Sequence, residues 1–365
     1  MEMRRTDFDL AVVGGGPAGT SAAITAARAG ASVVLLEAGV FPREKVCGEF
    51  VSAESLQLLR DLVREHSRSE ELFRDAPVIS RARLFVGRRA VETSVAPAAL
   101  SIPRYQLDWL LWESAQLAGV SCHRTCEVLS IAGRGPFTLQ TVEGEIRARA
   151  LVLCAGRWSR LSNPSDLPAG PKWIGVKAHF REQRPPQSTD LYFFDGGYCG
   201  VQPVSRVGVN VCAMVRSDVA TSLGEVIRLS SPLSRRAEAW EPLTCPVTTA
   251  PLLYRTPEPV RENIMVAGDA AGFIDPFSGD GISLALRTGQ AAVNSLQPFF
   301  AGTGSLENAV ASYASLYERN FAPLIAAASR VRTLLSLPQA IRLLAVEALR
   351  LPGVLPYVIR KTRVG

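Results

Sequence analysis

Gly14, Gly16 and Gly19 stand in G-x-G-x-x-G spacing directly after an apolar, β-branched run at 10–13. A small-residue segment at 18–30 follows, and a second apolar run at 32–36 ends in Glu37. Glycines at this spacing cradle a phosphate with backbone N–H groups; they do not break bonds. Gly14 permits a tight turn out of a strand, Gly16 lets a pyrophosphate approach the backbone, and Gly19 lets a helix pack closely on a sheet. A helix that opens at Ala18, directly after Pro17, would offer unpaired N–H groups and a positive dipole end to the phosphates. Glu37 would accept hydrogen bonds from ribose hydroxyls. Together these features form a βαβ dinucleotide-binding unit.

Further groups with chemical potential lie downstream. Cys47 sits in Lys45-Val-Cys-Gly-Glu49-Phe, where a thiol could line a substrate entrance or donate a proton. Glu49 is either an acid in the site or the partner of Lys45. Gly268-Asp269 ends an apolar run, and Pro276-Phe-Ser-Gly279-Asp280-Gly281-Ile282 leads into a helical segment, with Asp280 expected as its cap. His66, His123 and His179 are expected at the surface or in packing roles.

The elements that must position these groups follow from pattern. Helices are expected at 55–63, 102–117, 217–229 and 283–296, with a largely helical remainder from 305 to 360. Strands are expected at 120–123, 151–153 and within 81–95, and a meander covers 128–141 and 145–153. A change at 173–251 to short runs broken by Gly, Pro and Asp predicts an antiparallel sheet inserted into the first domain. The segment 66–75 is charged and expected to be exposed. The chain therefore reads as α/β. A Rossmann-like dinucleotide-binding domain spans 1–75, 100–165 and 255–300, a β-sheet substrate domain spans 76–99 and 166–254, and 301–365 forms a helical C-terminus.

Composition excludes several classes. The chain has 365 residues, net charge +6 and 47% hydrophobic residues. Its excess Arg is scattered, so nucleic acid is not an expected partner. The seven cysteines include no C-x-x-C pair and there are three histidines, so no metal site is expected. No run reaches the length of a membrane span, and the polar start at 1–9 leads straight into a strand, which points to a cytoplasmic protein without a signal peptide. Basic, apolar segments around 330–335, 341–344 and 355–361 could lie against the inner face of a membrane.

Three stretches now share one pattern: Gly14 to Gly19 with Glu37, Gly268-Asp269, and Pro276 to Ile282. Together they resemble FAD-dependent oxidoreductases of the para-hydroxybenzoate hydroxylase fold. Lys45-Val-Cys47-Gly48-Glu49 is most similar to the geranylgeranyl reductase-like branch. The resemblance implies FAD as cofactor. It implies Asp269 at the ribityl or pyrophosphate end, backbone N–H groups of Gly279, Gly281 and Ile282 near the flavin pyrimidine ring, and Pro276 in the wall over the flavin. It also implies cofactor contacts by Arg104, Val128, Gly156 and Gly268. The implied substrate is a hydrophobic lipid-, isoprenoid- or polyketide-like small molecule. The implied reaction is double-bond reduction or flavin-hydroperoxide monooxygenation, with NAD(P)H or a partner reductase protein as electron donor. A dehydrogenase passing electrons to a quinone and a non-catalytic lipid-binding module are the alternatives.

Two departures bear on the reaction. Ala155 replaces the acid of the Asp-Gly pair that NAD(P)H-dependent hydroxylases carry before Gly156, and no second G-x-G-x-x-G is present. Tyr198-Cys-Gly200-Val-Gln202-Pro203 replaces the Tyr-x-Trp-x-Phe-Pro of the reductases and the Trp-x-Trp-x-Ile-Pro of the halogenases. The missing tryptophans argue against halogenation. Tyr198, Gly200 and Gln202 would line a roomier, more polar substrate pocket.

Overall fold

Leu10, Ala11 and Val12 have no solvent exposure, as a β-branched run between two neighbours requires. They form β1 (Asp7–Val13), which continues into α1 (Pro17–Arg28) and the fully buried β2 (Val33–Glu37). β1 and β2 run parallel, with Leu10 opposite Val33, so the predicted βαβ unit is present. The structure is a computed structural model that describes residues 7–157, 161, 172–252 and 254–335.

A loop then reaches β3 (Phe50–Val51), α2 (Ala53–Val63), α3 (Ser69–Asp75) and the strands β4 (Val78–Val86) and β5 (Arg89–Ser101). α4 (Arg104–Leu117), β6 (Ser121–Arg124), and the meander β7 (Val128–Ala132), β8 (Phe137–Thr141) and β9 (Gly144–Leu153) follow. Next come β10 (Trp173–Arg181), β11 (Ser188–Phe194), β12 (Gly197–Ser205), β13 (Gly208–Arg216), α5 (Leu223–Arg228), α6 (Ser231–Ala237), β14 (Glu241–Pro242) and β15 (Val247–Leu252). The described chain closes with β16 (Val260–Arg261), β17 (Ile264–Val266), α7 (Gly281–Phe300), α8 (Leu306–Asn320) and α9 (Ala322–Leu335).

The strands form two sheets. The first has eight strands in the order β16-β17-β9-β1-β2-β6, with β7 and β8 extending from β9. Its centre is parallel, with β1 between β9 and β2. The second has nine strands in the order β14-β10-β13-β12-β11-β4-β5-β3, and β15 also pairs with β10. It is antiparallel except where β11 runs parallel to β4. α7 lies against α1, where a side-chain atom at Gly289 would fall 2.1 Å from the Ala18 carbonyl oxygen.

Several local expectations change. The predicted helix at 217–229 is shorter: Ser222 and Glu225 form a capping box at the start of α5, and Pro232 starts a separate α6. Segment 66–75 folds as α3 and buries Phe73, while His66 is buried against Glu113 at 3.1 Å. Ser52 stands at the start of α2 without a side-chain capping bond; its hydroxyl lies 2.7 Å from that of Ser283. α8 and α9 are helical as expected, but the basic segments at 341–344 and 355–361 lie outside the described residues. No helix among the described residues is long and apolar enough to cross a membrane.

Candidate active site

The two sheets enclose a cavity of about 1040 Å³. Pockets for one drug-sized ligand hold about 300–1,000 Å³, so this space suits an extended ligand or two in sequence. It runs from the β1–α1 turn to the inner face of the second sheet.

At the first end the walls are mostly backbone. Gly14 has φ +110°, and a side-chain atom there would lie 2.3 Å from the Cys154 carbonyl oxygen. At Gly19 such an atom would lie 1.8 Å from the Gly14 oxygen, so the turn and the helix demand glycine. Gly16 is different: nothing lies within 4 Å of its missing side chain, which would project into the space in front of α1. Gly16 also leaves the start of α1 without a side-chain cap, and Pro17 and Ala18 line the cavity there. The geometry matches a helix end that receives phosphate oxygens.

Glu37 lies at the end of β2 and is buried. Its carboxylate accepts from the Gly15 and Gly39 N–H groups at 2.7 Å each and from both arms of Arg43 at 2.6 and 3.0 Å. Burial opposes its charge, but Arg43 and the two N–H groups outweigh it and hold the carboxyl below its usual range. A ribose at Glu37 would therefore share the carboxylate with Arg43. Val128, buried in β7, lines the same region.

The middle of the cavity collects residues far apart in sequence. Gly156, Gly268, Asp269, Pro276, Gly279, Gly281 and Ile282 all line it. Asp269 lies 3.5 Å from the Arg157 guanidinium, which stacks 4.1 Å over the Phe273 ring. Pro276 opens a 3-10 turn that Gly279 ends with φ +76°. α7 then starts at Gly281, so its first N–H groups meet the cavity. Asp280 occupies the cap position, fully buried, but makes no side-chain capping bond. That corrects the expected capping role. Arg104 also lines the cavity, both arms held by Asp108 at 2.7 and 2.8 Å. Burial disfavours its charge, yet Asp108 holds its pKa above the ordinary arginine range.

These observations fit FAD. A helix end, an open space at Gly16, a buried ribose-type acid and a second helix start at Gly281 lie along one continuous cavity, as an extended dinucleotide requires.

Cys47 is half-buried and lines the cavity, with its sulfur accepting the Glu49 N–H at 3.3 Å. Glu49 has no solvent exposure. Its partner is not Lys45. Lys177 Nζ lies 2.5 Å from Glu49 and 2.5 Å from Glu44, and His179 Nε2 lies 2.8 Å from Glu49. His179 is therefore a buried ion-network member, not a surface or packing residue. Burial opposes the Glu49 charge, but the His179 hydrogen bond and the Lys177 ammonium hold the carboxyl below its usual range. Lys177 is likewise disfavoured by burial and raised by Glu49 and Glu44. Glu44, Glu49 and His179 bring ligand-type atoms within 4.8 Å of one another, and the Lys177 ammonium supplies the positive charge between the carboxylates. Lys45 projects into the cavity; enclosure, Arg43 and Arg104 lower its pKa.

At the far end the walls are side chains on alternating strand positions. Tyr198, Gly200 and Gln202 all face the cavity from β12, while Cys199 and Val201 pack in the core behind the sheet. Two of the three are already engaged. Tyr198 donates to Asp275 at 3.2 Å, as does Tyr254 at 3.1 Å, and Gln202 donates to the Ser101 hydroxyl at 2.7 Å. Burial and the Asp275 charge push the Tyr198 hydroxyl well above its ordinary pKa. Gly200 leaves room, with Leu191 3.4 Å from where its side chain would begin.

Sequence reasoning missed Arg43, Arg157, Lys177, His179, Asn210, Tyr254 and Asp275. A signal existed for two of them. Lys177 and His179 alternate with Val176 and Ala178 in one strand, so a lysine and a histidine share a face in a run that is otherwise buried.

Comparison with known proteins agrees with this geometry. The model of the pyridine nucleotide-disulphide oxidoreductase family matches residues 8–236. A menaquinone reductase of Mycolicibacterium smegmatis is 23% identical over 401 residues, covering 97% of this chain and 91% of that protein. Digeranylgeranylglycerophospholipid reductase 2 of Methanopyrus kandleri is 27% identical over 319 residues, covering 78% and 76%. Conditioned medium factor receptor 1 of Dictyostelium discoideum is 26% identical over 312 residues and covers 77% of this chain, which spans 61% of that protein's length. Among solved structures, the flavin-dependent brominase Bmp2 superposes with TM-score 0.81 at 20% identity, covering 98% of this chain and 93% of that one. A geranylgeranyl bacteriochlorophyll reductase-like protein of Thermoplasma acidophilum gives 0.75 at 20% identity, covering 98% and 96%.

Proposed function

The chain belongs to the pyridine nucleotide-disulphide oxidoreductase family and is an FAD-dependent oxidoreductase, and on that premise we propose that it reduces carbon–carbon double bonds of an isoprenoid-type lipid. The observation that carries this reading is the continuity of the cavity. Its cofactor end opens directly onto an apolar slot walled by Ala82, Leu84, Val86, Val95, Leu191 and Phe193. A long unsaturated hydrocarbon chain gains on the order of 25 cal/mol for each Å² of surface it removes from water there. Relatives named for menaquinone and for a digeranylgeranyl lipid support that substrate class.

FAD, held by the β1–α1 turn, Glu37 and the start of α7, would supply hydride for one alkene carbon when bound and reduced. The other carbon needs a proton. Cys47 Sγ is the donor this reading assigns, because it lines the cavity on the loop between the cofactor end and the second sheet. The Glu49 N–H directed at that sulfur stabilises the thiolate left behind. The apolar walls hold the chain and exclude water. NAD(P)H or a partner reductase returns the electrons. Contact of the basic C-terminal segment with a membrane surface would bring an insoluble substrate to the cavity mouth.

Product analysis tests the reading. The holoprotein, chemically reduced without oxygen and mixed with a digeranylgeranyl lipid or a polyprenylated quinone, is expected to yield a product with two more hydrogens per reduced double bond. A product with one added oxygen, formed only in air, would overturn it in favour of monooxygenation. A substrate that loses hydrogens and reduces the flavin would point to a dehydrogenase.

A further inference from the structure

β10 and β3 lie far apart in the strand order of the second sheet. Yet the segment just before β3 touches side chains of β10, so the sheet curves until its two sides meet. Three residues in one register row make that meeting. His179 is opposite Asn210, and Asn210 is opposite Gln202, across β10, β13 and β12. All three are buried, and each bonds across the gap. His179 reaches Glu49 at 2.8 Å, Asn210 donates to the Cys47 carbonyl oxygen at 2.9 Å, and Gln202 donates to Ser101 at 2.7 Å.

Lys177 stands one row further along the same face. Its ammonium lies 2.5 Å from both Glu44 and Glu49, the two acids that flank Cys47. Glu49 also accepts the Arg104 backbone N–H at 2.9 Å and has φ +62°, a left-handed conformation unusual for a residue with a side chain. Such strain persists only where the surroundings over-determine it. Lys177, His179 and Asn210 do not line the cavity; Cys47 and Glu49 do.

We infer that Lys177, with His179 and Asn210, is a positioning device that holds the Cys47 segment against the cavity by drawing both flanking carboxylates onto one buried ammonium. The device rests on the reading that Cys47 faces the flavin and substrate, but its test needs no turnover.

The test is iodoacetamide alkylation of Cys47 in the FAD-loaded full chain, read peptide by peptide and repeated from about pH 6 to 10. The midpoint reports the thiol's own titration, and the high-pH plateau reports access. Lys177→Met is expected to raise the plateau at least about fivefold. Lys177→Arg, which keeps the charge, should restore it. Arg83→Met breaks another ion pair of the same sheet, with Asp190, and should leave the plateau unchanged. The double variant Glu49→Gln/Lys177→Met removes both charges and keeps the test available should the single variant not fold; it too should raise the plateau. A shifted midpoint with an unchanged plateau in either Lys177→Met variant would overturn the proposal. So would an equal rise in Arg83→Met. A released Cys47 in a chain that forms no reduced lipid product would leave the device standing and remove only the reaction.

Discussion

At one end of the cavity the walls are turns of backbone; at the other they are side chains on a curved sheet. The cofactor end depends on positions where a side chain cannot exist, such as Gly14 and Gly19. The substrate end depends on which strand residues fall opposite one another, such as His179, Asn210 and Gln202. The first design tolerates little variation because steric overlap is absolute. The second tolerates change in the apolar wall but not in the polar row that shuts it. Constraint on the cofactor end therefore comes from backbone, and constraint on the substrate end comes from the polar contacts across the curved sheet.

The largest expected effect breaks the first end. Gly19→Val places an atom 1.8 Å from the Gly14 oxygen and should cost at least about a hundredfold in FAD affinity, or ~2.8 kcal/mol. Flavin content of the purified protein reads this directly. Unchanged flavin content would mean that the turn does not hold the cofactor.

Lys177→Met attacks the other end. It leaves Glu49 buried and unpaired by its ammonium, which costs about 3–5 kcal/mol of stability in comparable cases. Denaturant unfolding should show that loss. Loss of FAD without loss of stability would erase the contrast between the ends.

Acid should reproduce part of the same loss. The folded Glu49 pKa is lowered, so its contribution is present above the unfolded value near about 4.3 and is lost as pH falls through the folded value. The acid limb of the stability curve should flatten in Glu49→Gln. A limb of equal depth in wild type and variant would place the acid sensitivity elsewhere.

A smaller effect separates affinity for substrate from affinity for cofactor. Gly200→Leu adds a side chain to the cavity wall, starting in contact with Leu191, and should raise KM for the lipid about tenfold, ~1.4 kcal/mol, with FAD affinity unchanged. Equal loss of both would show that the ends are not separable. The smallest effect is expected from Tyr254→Phe, which removes one bond to Asp275 while Tyr198 keeps the other. It should cost about 1 kcal/mol in thermal or denaturant unfolding.

The same contrast explains what the sequence revealed. Gly14, Gly16, Gly19 and Glu37 lie within one short βαβ stretch, so spacing alone exposes the unit and the α/β class. The inserted sheet was legible from its change of pattern. Lys177 and Glu49 are 128 positions apart and meet only through the curvature of that sheet. Local charge spacing favoured Lys45 for Glu49, but the tertiary fold turns Lys45 into the cavity. Tyr198 was found by its motif, whereas its bond to Asp275, 77 positions away, depends on how the two sheets meet. Asp280 stands where a capping residue should, yet it is fully buried and makes no side-chain capping bond.

The most direct test of the central claim is anaerobic stopped-flow absorbance of the reduced holoprotein mixed with a digeranylgeranyl lipid. The lipid should reoxidise the flavin far faster than buffer does, and Cys47→Ser should slow this step while flavin content stays the same. A flavin that stays reduced with the lipid but reoxidises rapidly in oxygen would contradict it.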